Sequence, residues 1–521
     1  MGLYINKGNR LFQSSRRSEY VDKSGLIAVI NDTLGTRQKF SCVSRCRRFG
    51  KSMAAEMLAA YYDKSCDSRE LFADLEIAKA PSFEEHLNKY PVLYLDMTSF
   101  VTRYRDGDVV AHIEEDLKAD VTSVYPDIEY KEKDDLLDTL SRISLKTGDM
   151  FFFIIDEWDA ICREYPGDSP TMKRFVDWLR RLFKSEQGMS TFIGVYMTGI
   201  LPIKKYKTQS ALNNFIEYSV ITPRRMARFF GFTGNEVKQL SLKYGMPYDV
   251  LEKWYDGYKI GNEPSMFNPN SVMQALSADW CTSYWGKTAT YDVIVPYIKM
   301  NFDGLKDDIL NMLAGGRCHV NPAGFQNDLA LVESKDDALT VLIHLGYLSY
   351  DRDTEECFIP NLEVSLEMEL AVKAAWPYLG EALEKSRKLL EKTLAGDENA
   401  VATGIDLAHD EHTSILSYND ENSLACVLSI AYYYARNNYV MLREFASGKG
   451  FADLVLIPRK NVAGPALLIE LKYNKDADTA LNQIKRQDYP ARLEDWKGNL
   501  LLVGINYDKA TKTHSCRIER G

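Results

Sequence analysis

No Cys-x-x-Cys pair occurs among the nine cysteines, which stand at positions 42, 46, 66, 162, 281, 318, 357, 426 and 516. Structural zinc therefore has no ligand quartet in sequence, and a disulfide framework does not suit a chain of 521 residues. Reduced thiols in a cytoplasm are the expectation; adjacent Cys318 and His319 are too few donors to argue for a metal. No apolar run approaches the roughly 18 residues that span a bilayer; the longest, such as Met150–Ile155, are of strand length. No membrane partner is expected. The opening Met1–Lys7 lacks the order of a signal peptide, and Asn6 stands where a myristoylation pattern wants Ser or Thr. Internal repeats are missing too. The net charge of -10 excludes a surface coated everywhere for nucleic acid, though not a local basic groove.

What is present is an ordinary soluble composition, 45% apolar and 26% charged, in a chain long enough for two to four domains. Residues 1–220 alternate strand-like and helix-like segments. Phe40–Val43, Val92–Leu95, Phe151–Ile155 and Thr191–Met197 read as strands; Ser52–Asp63, Asp108–Val121, Asp134–Leu145 and Pro170–Glu186 read as helices. That alternation predicts a parallel sheet covered by helices. Residues 221–395 are dominated by helical periodicity, and the polar, Gly-containing stretch over 396–414 reads as a linker. Residues 415–521 predict a compact α/β domain: a helix over Glu421–Asn437, then strands Tyr439–Glu444, Asp453–Ile457, Ala466–Lys472 and Asn499–Ile505, with a helix near Asp478–Gln487.

Within "SRCRRFGKSM", Phe49-Gly50-Lys51-Ser52 has the ending of a phosphate-binding loop, but Arg45 stands where G-x-x-x-x-G-K-[ST] has its first glycine. Gly50 lets the backbone approach a phosphate, Lys51 supplies a point charge, and the Ser52 hydroxyl suits Mg²⁺. Further on, "MFFFIIDEWD" is an apolar strand delivering Asp156, suited to a Mg²⁺ contact, and Glu157, suited to polarising an attacking water. Thr198 ends a neighbouring strand, either as a phosphate sensor or as a hydroxyl that satisfies a turn. Arg47 and Arg48 read equally as phosphate contacts or as a solvated basic turn. Arg224 and Arg225 are open to an inter-subunit role, and a homo-oligomer is one arrangement the sequence leaves open.

In "ALLIELKY", Glu470 and Lys472 are two apart on a strand and so share a face. Asp453 begins the preceding strand, and an antiparallel pairing would bring it beside Glu470. Two carboxylates holding a divalent metal, with a lysine nearby, suit phosphodiester hydrolysis; without such a task they would be costly on buried strands. Glu421 would complete the metal shell, and Gln483 would orient water or substrate. The bland alternative is a same-face ion pair. Met441–Gly521 carries 14 Lys and Arg against 10 Asp and Glu, a mildly basic tail on an acidic body.

The pieces "YVDKSGLI", "RCRRFGKSM", "YPVLYLDMTS", "FFIIDEWDA", "YMTGILPI" and "WYDGYKIG…FNPNSV" together resemble the AAA-ATPase-like domain of many bacterial proteins. The tail, "YNDENSLACVL…REFASGKGFADLVL…ALLIELKY…ALNQIKRQDY…LLVGINYD", resembles the PD-(D/E)XK nuclease superfamily domain usually fused behind it. The resemblance implies a P-loop ATPase fold in front and a restriction-endonuclease-like α/β core behind. By position it implies nucleotide and Mg²⁺ binding at Lys51 and Ser52, a second acidic motif at Asp156 and Glu157, and a nuclease signature at Asp453, Glu470 and Lys472. Loops of this family commonly lack the first glycine, so Arg45 is in pattern, and Cys46 replaces a usual proline. The expected activity is an ATP-binding, ATP-hydrolysing protein that cleaves DNA or RNA with Mg²⁺ or Mn²⁺. The alternative is a nucleotide-binding switch whose nuclease-like domain binds nucleic acid or a protein without cutting. A phosphotransferase is a poorer third, because no acceptor site is recognisable.

Overall fold

The computed structural model describes residues 2–105, 108–165, 170–203, 205–206, 209–210, 212–285, 291–313, 315–329, 331–412, 428, 431–447, 450–459, 462, 464–486, 496 and 498–521. It divides into two compact units, Met1–Leu305 with Arg317–Glu367, and Lys306–Gly316 with Met368–Gly521.

The first unit is built on five parallel strands: β1 (Phe40–Ser44), β2 (Val92–Asp96), β3 (Phe151–Asp156), β4 (Phe192–Gly199) and β5 (Ile216–Tyr218). Their order is β2-β3-β4-β1-β5. Every residue of β1 and β3 is buried, as befits inner strands covered on both faces. Helices α1 (Lys51–Tyr62), α2 (Val109–Val124), α3 (Leu136–Thr147), α4 (Ala160–Glu164) and α5 (Pro170–Lys184) alternate with the strands. Local chemistry sets their starts. Asp108 accepts from the Ala111 amide to cap α2, and Asp135 makes a capping box with Asp138 at α3.

Beyond residue 220 the helices α6 (Gly234–Tyr244) and α7 (Pro269–Ala278) accompany two small antiparallel sheets. One joins Phe232–Thr233, Glu263–Phe267 and Tyr258–Ile260; the other joins Cys318–His319, Glu356–Phe358 and Ser349–Asp351. In the second, Cys318 lies opposite Cys357 with the sulfurs 3.3 Å apart. Helix α8 (Leu362–Ala375) begins in the first unit and ends in the second.

The second unit has helices α9 (Pro377–Leu394), α10 (Glu398–His412) and α11 (Ala477–Arg486) around a sheet of β6 (Tyr439–Ser447), β7 (Gly450–Pro458), β8 (Ala466–Tyr473), β9 (Leu500–Asp508) and β10 (Thr513–Arg520). The strands follow in that order, antiparallel except for β8 and β9. The stretch read as a linker is thus largely helix α10. Val401 and Ile405, four apart, are fully buried in the core with Leu389 and Tyr432, and Asp406 accepts from the His514 amide at 2.8 Å. With only the small Ala402 and Ala408 beside them on the core, these two residues make too weak an apolar stripe to show as periodicity. Of the helix expected over Glu421–Asn437, most lies outside the described residues; Tyr433–Asn437 is a 3₁₀ turn. Among the described residues no helix is long and apolar enough to cross a membrane.

Candidate functional sites

The chain leaves β1 at Ser44 and reaches α1 through Arg45–Gly50. Two residues of this loop take left-handed backbone, Arg48 at φ 66° and Gly50 at φ 87°. The second is where a glycine is needed, since the loop reverses into the helix there. Arg45 does not face the loop's concave side. Its side chain is fully buried and donates to the Ser44 and Tyr218 carbonyls at 2.8 and 2.7 Å, with Phe230 against the guanidinium. Burial pulls its pKa down to about 10. The residue in the place of the first glycine is therefore an internal clamp. Arg48 turns away as well, donating to the Tyr284 carbonyl at 3.3 Å, while still lining the adjoining cavity.

That cavity has a volume of about 690 Å³. Lys51, Ser52, Glu157 and Arg163 are among its polar lining, and Tyr20 and Phe232 among its apolar lining. Lys51 is 5% exposed and donates to the Cys46 carbonyl at 3.1 Å, with Glu157 Oε1 at 3.7 Å. Asp156, buried at the end of β3, accepts from the Ser52 hydroxyl, from the Tyr94 hydroxyl at 3.3 Å and from the Glu157 amide at 3.1 Å. Burial pushes its carboxyl up to about 6, with Glu157 adding to the rise and Ser52 and Lys51 opposing it. Glu157 sits in left-handed backbone at φ 52°. Burial pushes its carboxyl up, but Lys51 and Arg163 outweigh that and hold it below the ordinary range. Thr198, on β4 beside Val43 of β1, is fully buried, and its hydroxyl meets no partner among the described residues. The structure thus brings Gly50, Lys51, Ser52, Asp156 and Glu157 to one end of the sheet.

Asp22 and Lys23, adjacent in sequence and expected to be a structural ion pair rather than a functional one, do not pair with each other. Asp22 accepts from the Ser24 and Glu76 amides; Lys23 donates to both oxygens of Glu236 at 2.7 Å. Arg225 pairs with Asp32 at 3.0 Å on the surface.

In the second unit, the pairing of Leu454 with Ile469 puts Asp453 across from Glu470 on one face of the sheet. Asp453 Oδ2 accepts from the Leu471 amide at 2.7 Å. Lys472 donates to Glu470 Oε1 at 2.9 Å, and the Gln483 amide, from α11, donates to the same oxygen. Glu470 is 2% and Lys472 6% exposed. The approach of α11 depends on Gly504, beside Glu470 on β9, where a Cβ would collide with the Ala477 carbonyl. Asn506, beside Lys472, accepts from the Lys475 amide at 2.9 Å. Among the described residues no three His, Cys, Asp or Glu side chains gather as a metal shell. Glu421, expected to complete one, lies outside the described residues.

Residues 10–208 match the model of a predicted AAA-ATPase, and residues 419–516 match that of the PD-(D/E)XK nuclease superfamily. The chain carries an AAA-ATPase-like domain and a PD-(D/E)XK nuclease superfamily domain. None of the curated proteins compared matches it. Among solved structures it is similar to a Walker-type ATPase of Pyrococcus abyssi, at 12% identity and a TM-score of 0.33, covering 66% of this chain and 94% of that one. It is also similar to the ORC2 protein of Aeropyrum pernix, at 11% identity and a TM-score of 0.35, covering 72% and 99%. A third, the ORC1 protein of Aeropyrum pernix in complex with DNA, is 10% identical with a TM-score of 0.27, covering 73% and 98%.

Two features of the AAA-ATPase-like domain escape the sequence reading. Arg163 donates to Glu157 Oε2 at 2.8 Å and to Asp159 Oδ1 at 2.9 Å. Asp159 is fully buried and accepts from the Ile200 and Leu201 amides. The Asp159–Arg163 spacing of i, i+4 on a helix was a readable signal; the reach to Glu157 was not. The hydroxyl of Tyr94 on Asp156 is the other, a contact between neighbouring strands.

Proposed function

We propose that the protein binds and hydrolyses ATP in the AAA-ATPase-like domain and cleaves phosphodiester bonds in DNA or RNA with the PD-(D/E)XK domain. The observation that carries the nuclease half is the gathering of Asp453, Glu470, Lys472 and Gln483 on one face at the junction of β7, β8 and α11. A buried carboxylate with an amine and an amide donor on one oxygen is an arrangement that a core strand would not keep cheaply. Asp453 and Glu470 are hard oxygen donors and suit Mg²⁺ or Mn²⁺. Bound there, such an ion would supply charge stabilisation at the scissile phosphate and a more acidic water. Lys472 would then stabilise the developing negative charge, and Gln483 would orient Glu470.

In the ATPase half, the backbone amides of the loop and Lys51 would hold the phosphates. Ser52 and Asp156 would hold Mg²⁺. The raised, buried Asp156 carboxyl and the unengaged Thr198 hydroxyl are what a charged ligand at this end of the sheet would satisfy. Glu157 would accept a proton from the water that attacks the terminal phosphorus as the bridging P–O bond breaks. Arg48, which is turned to Tyr284, would reach a phosphate only by leaving that carbonyl.

The test is a cleavage assay on single- and double-stranded DNA and RNA, with Mg²⁺ or Mn²⁺ and with or without ATP. Cleavage that is lost in Asp453→Ala while the fold persists supports the reading; no cleavage of any substrate rejects it. A specific observation favours the second reading, a nucleotide-binding switch that binds nucleic acid or a protein without cutting. Lys472 already neutralises Glu470, and the described residues supply only two carboxylates. Mn²⁺ seen between Asp453 and Glu470 in a soaked crystal would decide against it.

A further inference from the structure

Among the cations that line the ATPase cavity, Arg163 is the one paired with Glu157 at 2.8 Å. Arg163 is anchored from below: one guanidinium nitrogen is on Asp159, which is itself pinned by the Ile200 and Leu201 amides. Its other nitrogen is on Glu157, and this second bond is the one facing the cavity. Glu157 is held from two sides, by Arg163 at 2.8 Å and by Lys51 at 3.7 Å, on a backbone turn that a glutamate rarely adopts. Lys51 for its part spends its nearest hydrogen bond on the Cys46 carbonyl. Both cations thus have partners that a polyphosphate, a stronger and more highly charged acceptor, can displace.

We propose that Arg163 is a positioning residue for ATP hydrolysis: it holds Glu157 in an ion pair until a terminal phosphate takes its cavity-facing nitrogen, and so releases Glu157 to the attacking water only when a triphosphate is bound. The proposal rests on the nucleotide reading of this cavity. A diphosphate lacks the group that would draw Arg163 away, so the ion pair persists with ADP. The Asp159 anchor matters because it leaves the guanidinium one bond to exchange while its position stays fixed. The chain thereby carries within one protomer an arginine that reports the terminal phosphate, and it lies only six residues after the carboxylate it controls.

The experiment uses the full chain and compares wild type with Arg163→Ala, Arg163→Lys, Glu157→Gln and the Arg163→Ala, Glu157→Gln double variant. Each is assayed for steady-state Mg·ATP hydrolysis and for equilibrium binding of ATP, with hydrolysis blocked by a non-hydrolysable analogue, and of ADP. For Arg163→Ala the expected results are a fall in kcat of about 10- to 100-fold, from the lost guanidinium on the terminal phosphate, and a loss of about 5-fold or more in the preference for triphosphate over diphosphate. ADP affinity should stay within about 2-fold of wild type. Glu157→Gln should bind the triphosphate analogue more tightly than wild type, because Arg163 is already released. In the double variant that gain should vanish, an interaction that independent sites would not show.

Equal weakening of ADP and ATP, or an unchanged kcat and an unchanged triphosphate preference, would overturn the proposal. If Arg163→Ala fails to fold because Asp159 is left unpaired, Arg163→Lys decides. A lysine can serve Asp159 but not both acids at once, so kcat should fall while the fold holds; wild-type turnover in that variant also overturns the proposal. Wild-type protein that binds neither nucleotide would remove the nucleotide reading itself, an outcome visible before any substitution is made.

Discussion

In the AAA-ATPase-like domain, Lys51 stands 3.7 Å from Glu157 and shares it with Arg163, around a cavity of about 690 Å³. In the PD-(D/E)XK domain, Lys472 is 2.9 Å from Glu470, both are almost wholly buried, and Gln483 takes the same oxygen. Both sites set a carboxylate beside a lysine, yet the first holds charges for which a ligand can compete and the second holds charges that complete one another. The difference follows from what surrounds each pair. Glu157 lies where the sheet end opens to a cavity, so a ligand can compete for its cations. Glu470 lies under α11, brought close by Gly504, so its partners are fixed by packing before any ligand arrives. The same substitution should then act differently at the two lysines.

The largest effect is expected at the closed pair. Lys472→Ala leaves Glu470 buried without its cation, which costs about 3–5 kcal/mol of stability, besides abolishing cleavage. Denaturant unfolding followed alongside the cleavage assay measures both; full stability in Lys472→Ala would show that the pair is not locked and would break the comparison. Lys51→Ala should do the reverse. ATP turnover should fall about 100-fold or more, as when a group that stabilises transition-state charge is removed. Stability should stay within about 1 kcal/mol, because Glu157 keeps Arg163. Unfolding of Lys51→Ala would mean that the open site is as locked as the closed one.

Much of this contrast was legible in the sequence, because strand alternation and loop chemistry are local. Glu470 and Lys472 share a face by count alone, and an apolar run ending in Asp156-Glu157 delivers both acids to the end of a central strand. What was not legible depends on residues far apart in the chain. Arg45 reads only as the residue in the place of a first glycine, because one of its acceptors, the Tyr218 carbonyl, lies 173 residues away. Arg163 has no role in the sequence reading, because its bond to Glu157 depends on the left-handed turn at that residue. Helix α10 was hidden because its buried side carries only two large apolar residues, Val401 and Ile405, the others being the small Ala402 and Ala408.

Arg45 gives a third, smaller test. If the clamp reading holds, Arg45→Gly, which restores the familiar glycine, should not improve nucleotide binding. It should cost about 2 kcal/mol, from two charge-assisted bonds to buried carbonyls and the lost packing on Phe230. Nucleotide affinity and thermal unfolding of this variant check it together. Tighter ATP binding with unchanged stability would return Arg45 to the open, exchangeable class.

The smallest effect separates burial from pairing. Glu363 is 1% exposed, like Glu470, but its partners are neutral donors, the Tyr284 and Trp285 amides at 2.8 and 3.0 Å. Burial pushes its carboxyl up to about 7, these donors oppose the rise, and nearby Glu367 adds to it. Arg48 feels its charge from the loop. A raised carboxyl means that the folded chain keeps a proton which the unfolded chain has released, so this group's stability is present below the unfolded pKa of 4.5 and is lost as pH rises towards 7. Glu363→Gln should flatten that fall and stabilise the protein by about 1 kcal/mol at pH 8, well short of the full linkage value because the two amides lose an anionic acceptor. Unfolding free energies across that pH window test it. If wild type shows no fall there, neutral backbone donors hold a buried carboxylate as firmly as Lys472 holds Glu470, and the line between paired and merely buried acids would have to be redrawn.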